Sequence, residues 1–198
     1  MEMASELGNF IFLFGLLLLV ILEAIWLILL KKQSFPWQEA SANFGVAALK
    51  RLVDLATYGA AASVLFWAYE YRLFTIEINS VFVGVIYFFF FELVYYWHHR
   101  WAHEIRWMWA THSVHHSSEH MNLSVSARLG FTGLISGSVL VFLPLVFVGF
   151  HPLLVMLTLA ASLFYQVFLH TELVGKLGPL EWLLNTCLLY TSPSPRDS

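Results

Sequence analysis

The sequence predicts an all-α fold: an integral membrane helical bundle of about four to five spanning or hairpin helices, with a histidine-rich metal site on its cytoplasmic face. Three observations predict it. Hydrophobic residues make up 59% of the chain and charged residues only 12%, whereas soluble domains are about 45–50% apolar. Five apolar segments approach the length that spans a bilayer. Seven of the nine histidines lie between His98 and His120.

The apolar segments are the candidate membrane helices, and they cover residues 10–30, 52–69, 80–97, 131–150 and 152–169. The first segment contains one charged residue, Glu23, and is followed by Lys31 and Lys32 rather than by a cleavage site. It is therefore expected to stay in the mature protein as an anchor, residues 1–35. His151 and Pro152 separate the last two segments, which predicts a helical hairpin because proline disfavours helix in the residue before it.

Basic residues predict the orientation of these helices. If the amino terminus is outside, Arg72 is the only basic residue next to a span that lies outside, in agreement with the positive-inside rule. The basic residues on the cytoplasmic face are then Lys31, Lys32, Lys50, Arg51, Arg100, Arg106, Arg128 and Lys176. This topology also returns His170 to the side of the other histidines. The net charge of -3 is too small to indicate nucleic acid as a partner.

The spacing of five histidines predicts metal binding. On a helix, His99 and His103 share one face with their β-carbons about 5–6 Å apart. His112 and His116 repeat this spacing, and His115 extends the same surface. Five imidazoles exceed the four ligands of a tetrahedral zinc ion, which indicates two metals.

Other residue types narrow the metal chemistry only in part. The single cysteine, Cys187, excludes a thiolate-rich zinc or iron–sulfur site. Imidazole ligands leave zinc, copper, iron and nickel open. The remaining histidines, His98, His120 and His151, are expected to be interfacial polar groups.

Longer motifs surround these histidines. The segment YYWHHRWAHE (residues 95–104) precedes MWATHSVHHSSE (108–119), NLS (122–124) and Arg128. They resemble the fatty acid hydroxylase and sterol desaturase superfamily, and within it the chain looks most like the alkylglycerol monooxygenase branch. The resemblance covers roughly residues 36–186, which are expected to form an incomplete fatty acid hydroxylase-like membrane domain.

The resemblance implies a membrane-bound non-haem di-iron oxygenase that uses O2 to hydroxylate or desaturate a lipid, or to cleave an ether lipid. It implies two iron ions, a bacterial inner membrane or endoplasmic reticulum location, and an electron supply that is open between a pterin and a cytochrome or ferredoxin donor protein. The implied metal ligands are His99, His103, His112, His115, His116 and His170.

Polar residues near the ligands are candidates for orienting the imidazole rings through the second ring nitrogen, although they would equally suit a solvated interface. These candidates are Glu92, Arg100, Glu104, Glu119, Asn122, Arg128 and Glu172. Of these, Glu92 lies inside an apolar segment. It is expected to be functional or paired because intramembrane carboxylates are costly.

Two other functional classes compete with the oxygenase. A histidine-ligated haem electron carrier would place single histidines on opposing helices inside the bilayer, whereas this chain gathers them outside it. A metal-transporting membrane protein would place polar ligands along several spans, which here hold only Glu23, Asp54 and Glu92. The pattern favours the oxygenase over both.

The end of the sequence has a different character. Residues 187–198 are polar, and the string CLLYTSPSPRD within them matches the translation of a transposase mosaic end and adapter used in sequencing libraries. We therefore expect residues 187–198 to be a non-native tail. The family's final His-x-x-His-His box would begin shortly after Asn185 and Thr186.

An incomplete ligand set predicts loss of function. With the final box missing, we expect the polypeptide not to hold two irons properly and to be inactive. Measuring iron per chain together with lipid oxidation in purified protein checks this expectation. Two bound irons with catalytic turnover would contradict it.

Overall fold

The computed structural model describes residues 2–133 and 135–171. This part of the chain is helical, with one isolated β-bridge between Ile76 and Phe150, so the predicted all-α class is confirmed. Its α-helices are α1 (Glu2–Leu29), α2 (Trp37–Tyr69), α3 (Val81–Glu104), α4 (Arg106–His112), α5 (Leu143–Val148) and α6 (Pro152–Val167). Short 3-10 helices lie at His115–Ser117, Leu123–Ala127 and Ser138–Phe142.

The first three apolar segments correspond to α1, α2 and α3. The third helix begins after Ser80, whose hydroxyl accepts a hydrogen bond from the amide of Val83 at 3.3 Å and so caps one of the free N–H groups of the first turn. It continues beyond its apolar run through His99 and His103. The two histidines therefore share a helix face, as their spacing predicts.

Among the described residues, α3 is the helix whose length and composition suffice to cross a membrane by itself. The second helix is bent between Thr57 and Gly59, and it qualifies only if its two halves count as one span. The described apolar parts of α1 and α6 are shorter. The structure thus supports one or two spans in the described ranges, fewer than the expected four to five.

The prediction of one spanning helix over residues 131–150 is wrong. Gly137 adopts a left-handed conformation with φ 75°, which stops helix from running through this position. The helical stretch that follows, Ser138–Val148, rises about 17 Å and is too short to cross about 30 Å of hydrocarbon. The predicted break is present, because α5 ends at Val148 and α6 begins at Pro152.

Two apolar clusters hold the helices together. The larger one joins α2, α3, α5 and α6, and its most buried members are Ala68, Phe91, Leu145, Val146 and Val155. The smaller one packs α1 on the start of α2 and on the 3-10 helix at Leu123–Ala127; its buried residues are Leu16, Val20, Ala24, Phe35, Ala40, Leu123 and Val167. The second cluster therefore brings the first helix to the loops that follow the histidine motifs.

The link between α5 and α6 is tied to the loop before α3. The amide of Ile76 donates to the carbonyl of Gly149 at 3.1 Å, and the amide of Leu73 donates to Phe147 at 2.8 Å. At Gly149 φ is 130°, and a β-carbon there would lie 2.3 Å from the carbonyl oxygen of Phe74. Only glycine fits this position.

Replacement of Gly149 by alanine is expected to destabilise the fold, because the new β-carbon meets backbone rather than a flexible side chain. The expected loss in free energy of unfolding is roughly 1–3 kcal/mol, measured by denaturant unfolding in detergent. The control is Gly45→Ala in α2, where no atom lies within 4 Å of the added β-carbon. Equal effects of the two substitutions would contradict the prediction.

Candidate metal centre

Four histidines from α3 and the segment after it form one compact group. Ile105 takes an extended conformation and separates α3 from α4, so the second motif folds back against the first. His99, His103, His112 and His116 then each offer a ligand atom, and these atoms all lie within 4.8 Å of one another. The Nε2 atoms of His99 and His103 are 3.1 Å apart, and so are those of His112 and His116.

The fifth and sixth histidines form a separate pair beside this group. The Nε2 atoms of His115 and His170 are 3.1 Å apart, although 55 residues separate them in the sequence. The His115 ring lies 5.2 Å from that of His116, centre to centre. The prediction that His115 extends the surface of His112 and His116 thus needs refinement, since His115 faces His170 instead.

Hydrogen bonds fix the tautomers of this pair. Nδ1 of His115 lies 3.1 Å from the carbonyl oxygen of Arg128, and Nδ1 of His170 lies 2.6 Å from that of Gln166. Because a carbonyl oxygen only accepts, both Nδ1 atoms carry hydrogen, and in the neutral rings both Nε2 atoms present lone pairs. The two lone pairs therefore face each other across 3.1 Å.

Protonation of one ring would relieve this repulsion, but it is unfavourable because the rings are buried. Burial, together with the nearby charges of His170 and His116, lowers the pKa of His115 to about 3. Burial also lowers the pKa of His170 and of His112. The rings are therefore neutral near pH 7, which is the state that binds a metal. Metal-bound imidazole nitrogens lie about 2.1 Å from the ion, so donors at this spacing fit one cation.

The other three histidines lie apart from these six. His98 packs against Phe142 and Tyr95, and both of its ring nitrogens are buried without a hydrogen-bond partner among the described residues. His120 pairs with Glu39 through Nδ1. His151 accepts a hydrogen bond from the amide of Leu153 at 3.2 Å and caps α6.

Two of the predicted supporting residues lie in the loop that follows the second motif, and one of them bonds a histidine ring through its backbone. Arg128 accepts from His115 through its carbonyl oxygen, and its guanidinium donates to the carbonyl of Val114 and to Oδ1 of Asn43, both at 2.9 Å. The Asn122 side chain is buried and accepts from the amide of Ser124 at 3.0 Å. Both residues therefore fix the loop that follows the second motif.

The other candidates are placed differently. Arg100 and Glu104 form an ion pair at 2.8 Å on the outer face of α3, with about half of each side chain exposed. Glu119 is exposed, and its amide donates to Glu39 at 2.6 Å. Glu92 is partly buried two turns before His99. Glu172 lies outside the described residues, as do residues 187–198, which were expected to be a non-native tail, and Asn185 and Thr186, after which the final histidine box was expected.

Polar residues of α1 and α2 contribute contacts that sequence analysis did not assign to the site. Glu39 binds the segment 118–120 through Ser118, two backbone amides and the His120 ring. Asn43, fully buried, donates to Ser124 at 2.9 Å. Glu23 binds the amide of Leu123 at 2.8 Å. The sequence feature that could have identified these residues is a polar side chain within an otherwise apolar helix. This feature is clear for Glu23 and weak for Glu39 and Asn43.

Known proteins are similar to this chain over the same region. The fatty acid hydroxylase family model matches residues 84–194, which include all six clustered histidines. The alkylglycerol monooxygenase of Xenopus tropicalis is 34% identical over 182 residues, 91% of this chain and 40% of the relative. That of Homo sapiens is 38% identical over 141 residues, 69% of this chain and 29% of the relative.

A third relative, the alkylglycerol monooxygenase of Danio rerio, is 45% identical over 95 residues, 48% of this chain and 21% of the relative. The chain thus spans less than half the length of these relatives. No solved structure matches it. The family match over more than half of the sequence, together with the imidazole cluster that it contains, shows that the chain belongs to the fatty acid hydroxylase family, and its similarity is to the alkylglycerol monooxygenase branch.

Proposed function

We propose that this chain carries the metal centre of a membrane-bound non-haem di-iron monooxygenase that oxidises a lipid with O2. The observation that carries the proposal is the pair His115 and His170, whose lone pairs converge beside four further histidines. The relatives are alkylglycerol monooxygenases, which supports an ether lipid of the alkylglycerol class as the substrate.

In this proposal six imidazoles of this chain contribute ligands to a centre of two iron ions, which needs the further histidines of the final box to be complete. The six are His99, His103, His112, His115, His116 and His170. Iron bound there would supply the activation of O2 that attack on an unactivated C–H bond requires. The residues of the chain itself fix the ligands. The carbonyls of Arg128 and Gln166 set the tautomers of one pair, and the helical spacing on α3 sets His99 and His103.

A membrane location fits the outer surface of the helices. Val81 and Phe82 at the start of α3 are 85% and 73% exposed, as suits contact with lipid. The histidines lie at the other end of α3, close to the start of α2, since Glu39 binds His120. The basic residues Lys31 and Lys32 precede that start, so the positive-inside rule supports a cytoplasmic metal centre. An acyl or alkyl chain would then enter from the bilayer.

The haem alternative is disfavoured by distance. Axial ligands of one haem lie on opposite sides of the iron, about 4 Å apart. Each of the three histidine pairs has its Nε2 atoms only 3.1 Å apart, as suits adjacent ligands of one ion. The reductant stays open between a pterin and a cytochrome or ferredoxin partner.

Simultaneous substitution of His112 and His116 by alanine tests the metal centre. We expect affinity for Fe(II) or Co(II) to fall by roughly 100-fold or more, because two ligands are lost together. Iron per chain and titration of Co(II) absorption bands measure this effect. In the longest available reading frame, lipid oxygenation should be lost as well.

The matched control is His151→Asn, which keeps a capping side chain at the start of α6 and lies outside the cluster. It should bind metal like the wild type. Unchanged metal binding in the double variant would refute the proposal.

A tight backbone contact also positions His112. A β-carbon on Gly130 would lie 2.3 Å from the carbonyl oxygen of Thr111, so Gly130→Ala should push the end of α4 away from the cluster. We expect metal affinity to fall about 10-fold or more, measured by Co(II) titration. Gly133→Ala is the control, since its added β-carbon has no atom of the described residues within 4 Å beyond its chain neighbours. If both variants bind equally well, this contact does not position the ligand.

A further inference from the structure

Glu23 is a carboxylate buried in the first helix. It lies on the face of α1 that packs inward, is 3% exposed, and has Val20 and Ala24 of the smaller apolar cluster as neighbours along the helix. It precedes residue 84, where the family match begins. A carboxylate in such surroundings is costly unless strong donors surround it. Its hydrogen bonds therefore indicate what this residue does.

Both carboxylate oxygens have donors from distant parts of the chain. Oε2 accepts from the backbone amide of Leu123 at 2.8 Å, and Oε1 accepts from the hydroxyl of Thr171. These partners lie 100 and 148 residues further along the sequence. Glu23 thus joins two loops that share no secondary-structure element.

One of these loops carries His170, and the other carries the carbonyl group that holds His115. Thr171 directly follows His170. Leu123 begins the 3-10 helix that ends just before Arg128, whose carbonyl oxygen accepts from Nδ1 of His115. The Glu23 carboxylate therefore sets how far apart the two supporting backbones lie.

We propose that Glu23 is a positioning residue for the metal centre, which holds His115 and His170 at the spacing that lets both bind one ion. The inference rests on the proposed function of these histidines as ligands. Hydrogen bonds behind a ligand commonly change metal affinity 10–100-fold. Glu23 has this role through backbone and hydroxyl donors rather than through an imidazole nitrogen.

The test compares Glu23→Ala with His170→Ala in the full chain by Co(II) titration, with affinity and absorption bands as readouts. If Glu23 acts through His170, Glu23→Ala should reproduce the spectral change of His170→Ala and weaken binding about 10-fold or more. The double variant should lose little beyond His170→Ala alone, because the two side chains serve one interaction. Glu23→Gln, which can still accept from Leu123, should retain most of the affinity.

Two further comparisons separate positioning from general damage to the fold. Thr171→Val removes the hydroxyl donor but keeps the shape, and it should resemble Glu23→Ala, whereas Thr171→Ser should bind like the wild type. Leu22→Ala, at an exposed neighbour in α1, is the control and should bind normally. If Glu23→Ala itself fails to fold, the Val and Ser variants of Thr171 still decide the question.

Failure of this inference differs from failure of the proposed function. If His170→Ala weakens Co(II) binding but Glu23→Ala and Thr171→Val do not, the positioning role is overturned and the metal centre stands. The positioning role is also overturned if the double variant loses as much Co(II) affinity as Glu23→Ala and His170→Ala lose in sum. If His170→Ala leaves both affinity and spectrum unchanged, the pair is not a metal site and both proposals fall.

Discussion

Two neutral imidazoles that point lone pairs at each other are the constraint on which the rest of this structure depends. A free imidazole would avoid the repulsion by changing tautomer or by taking up a proton. Here the carbonyls of Arg128 and Gln166 hold both rings in one tautomer, and burial lowers the pKa of His115 to about 3. A cation between the Nε2 atoms is the remaining way to make the arrangement favourable.

The scaffold maintains this arrangement with polar bonds placed inside apolar packing. Asn43 joins Arg128 to Ser124, and the Asn122 side chain closes the same loop. Such groups are costly to bury, and they are tolerated because each has its hydrogen bonds made. A fully bonded network also has one geometry, so it fixes the position of a loop more sharply than apolar packing does.

The sequence predicted what depends on local spacing and missed what depends on tertiary contact. The shared face of His99 and His103 follows from helical geometry, and the break at His151 and Pro152 follows from proline. The break at Gly137, after which the helical stretch begins, was missed because a left-handed glycine leaves no periodic signal. The pairing of His115 with His170 needed the path of α6, and the contact of Glu23 with Leu123 needed the packing of α1, which no local pattern records.

These two kinds of contact assemble the site in different ways. The group of four histidines needs only α3, α4 and the short 3-10 helix His115–Ser117, which follow one another in the chain with a turn at Ile105. The contact of His170 with His115 also depends on the packing of α5 and α6 on α3 and on the first helix, which bonds the segments beside both histidines. Since the opposed lone pairs make that last contact unfavourable without a cation, metal bound at the proposed centre would stabilise the tertiary packing as well as the site. Under this proposal, metal binding and closure of the bundle form one coupled equilibrium, in which the first helix takes part through Glu23.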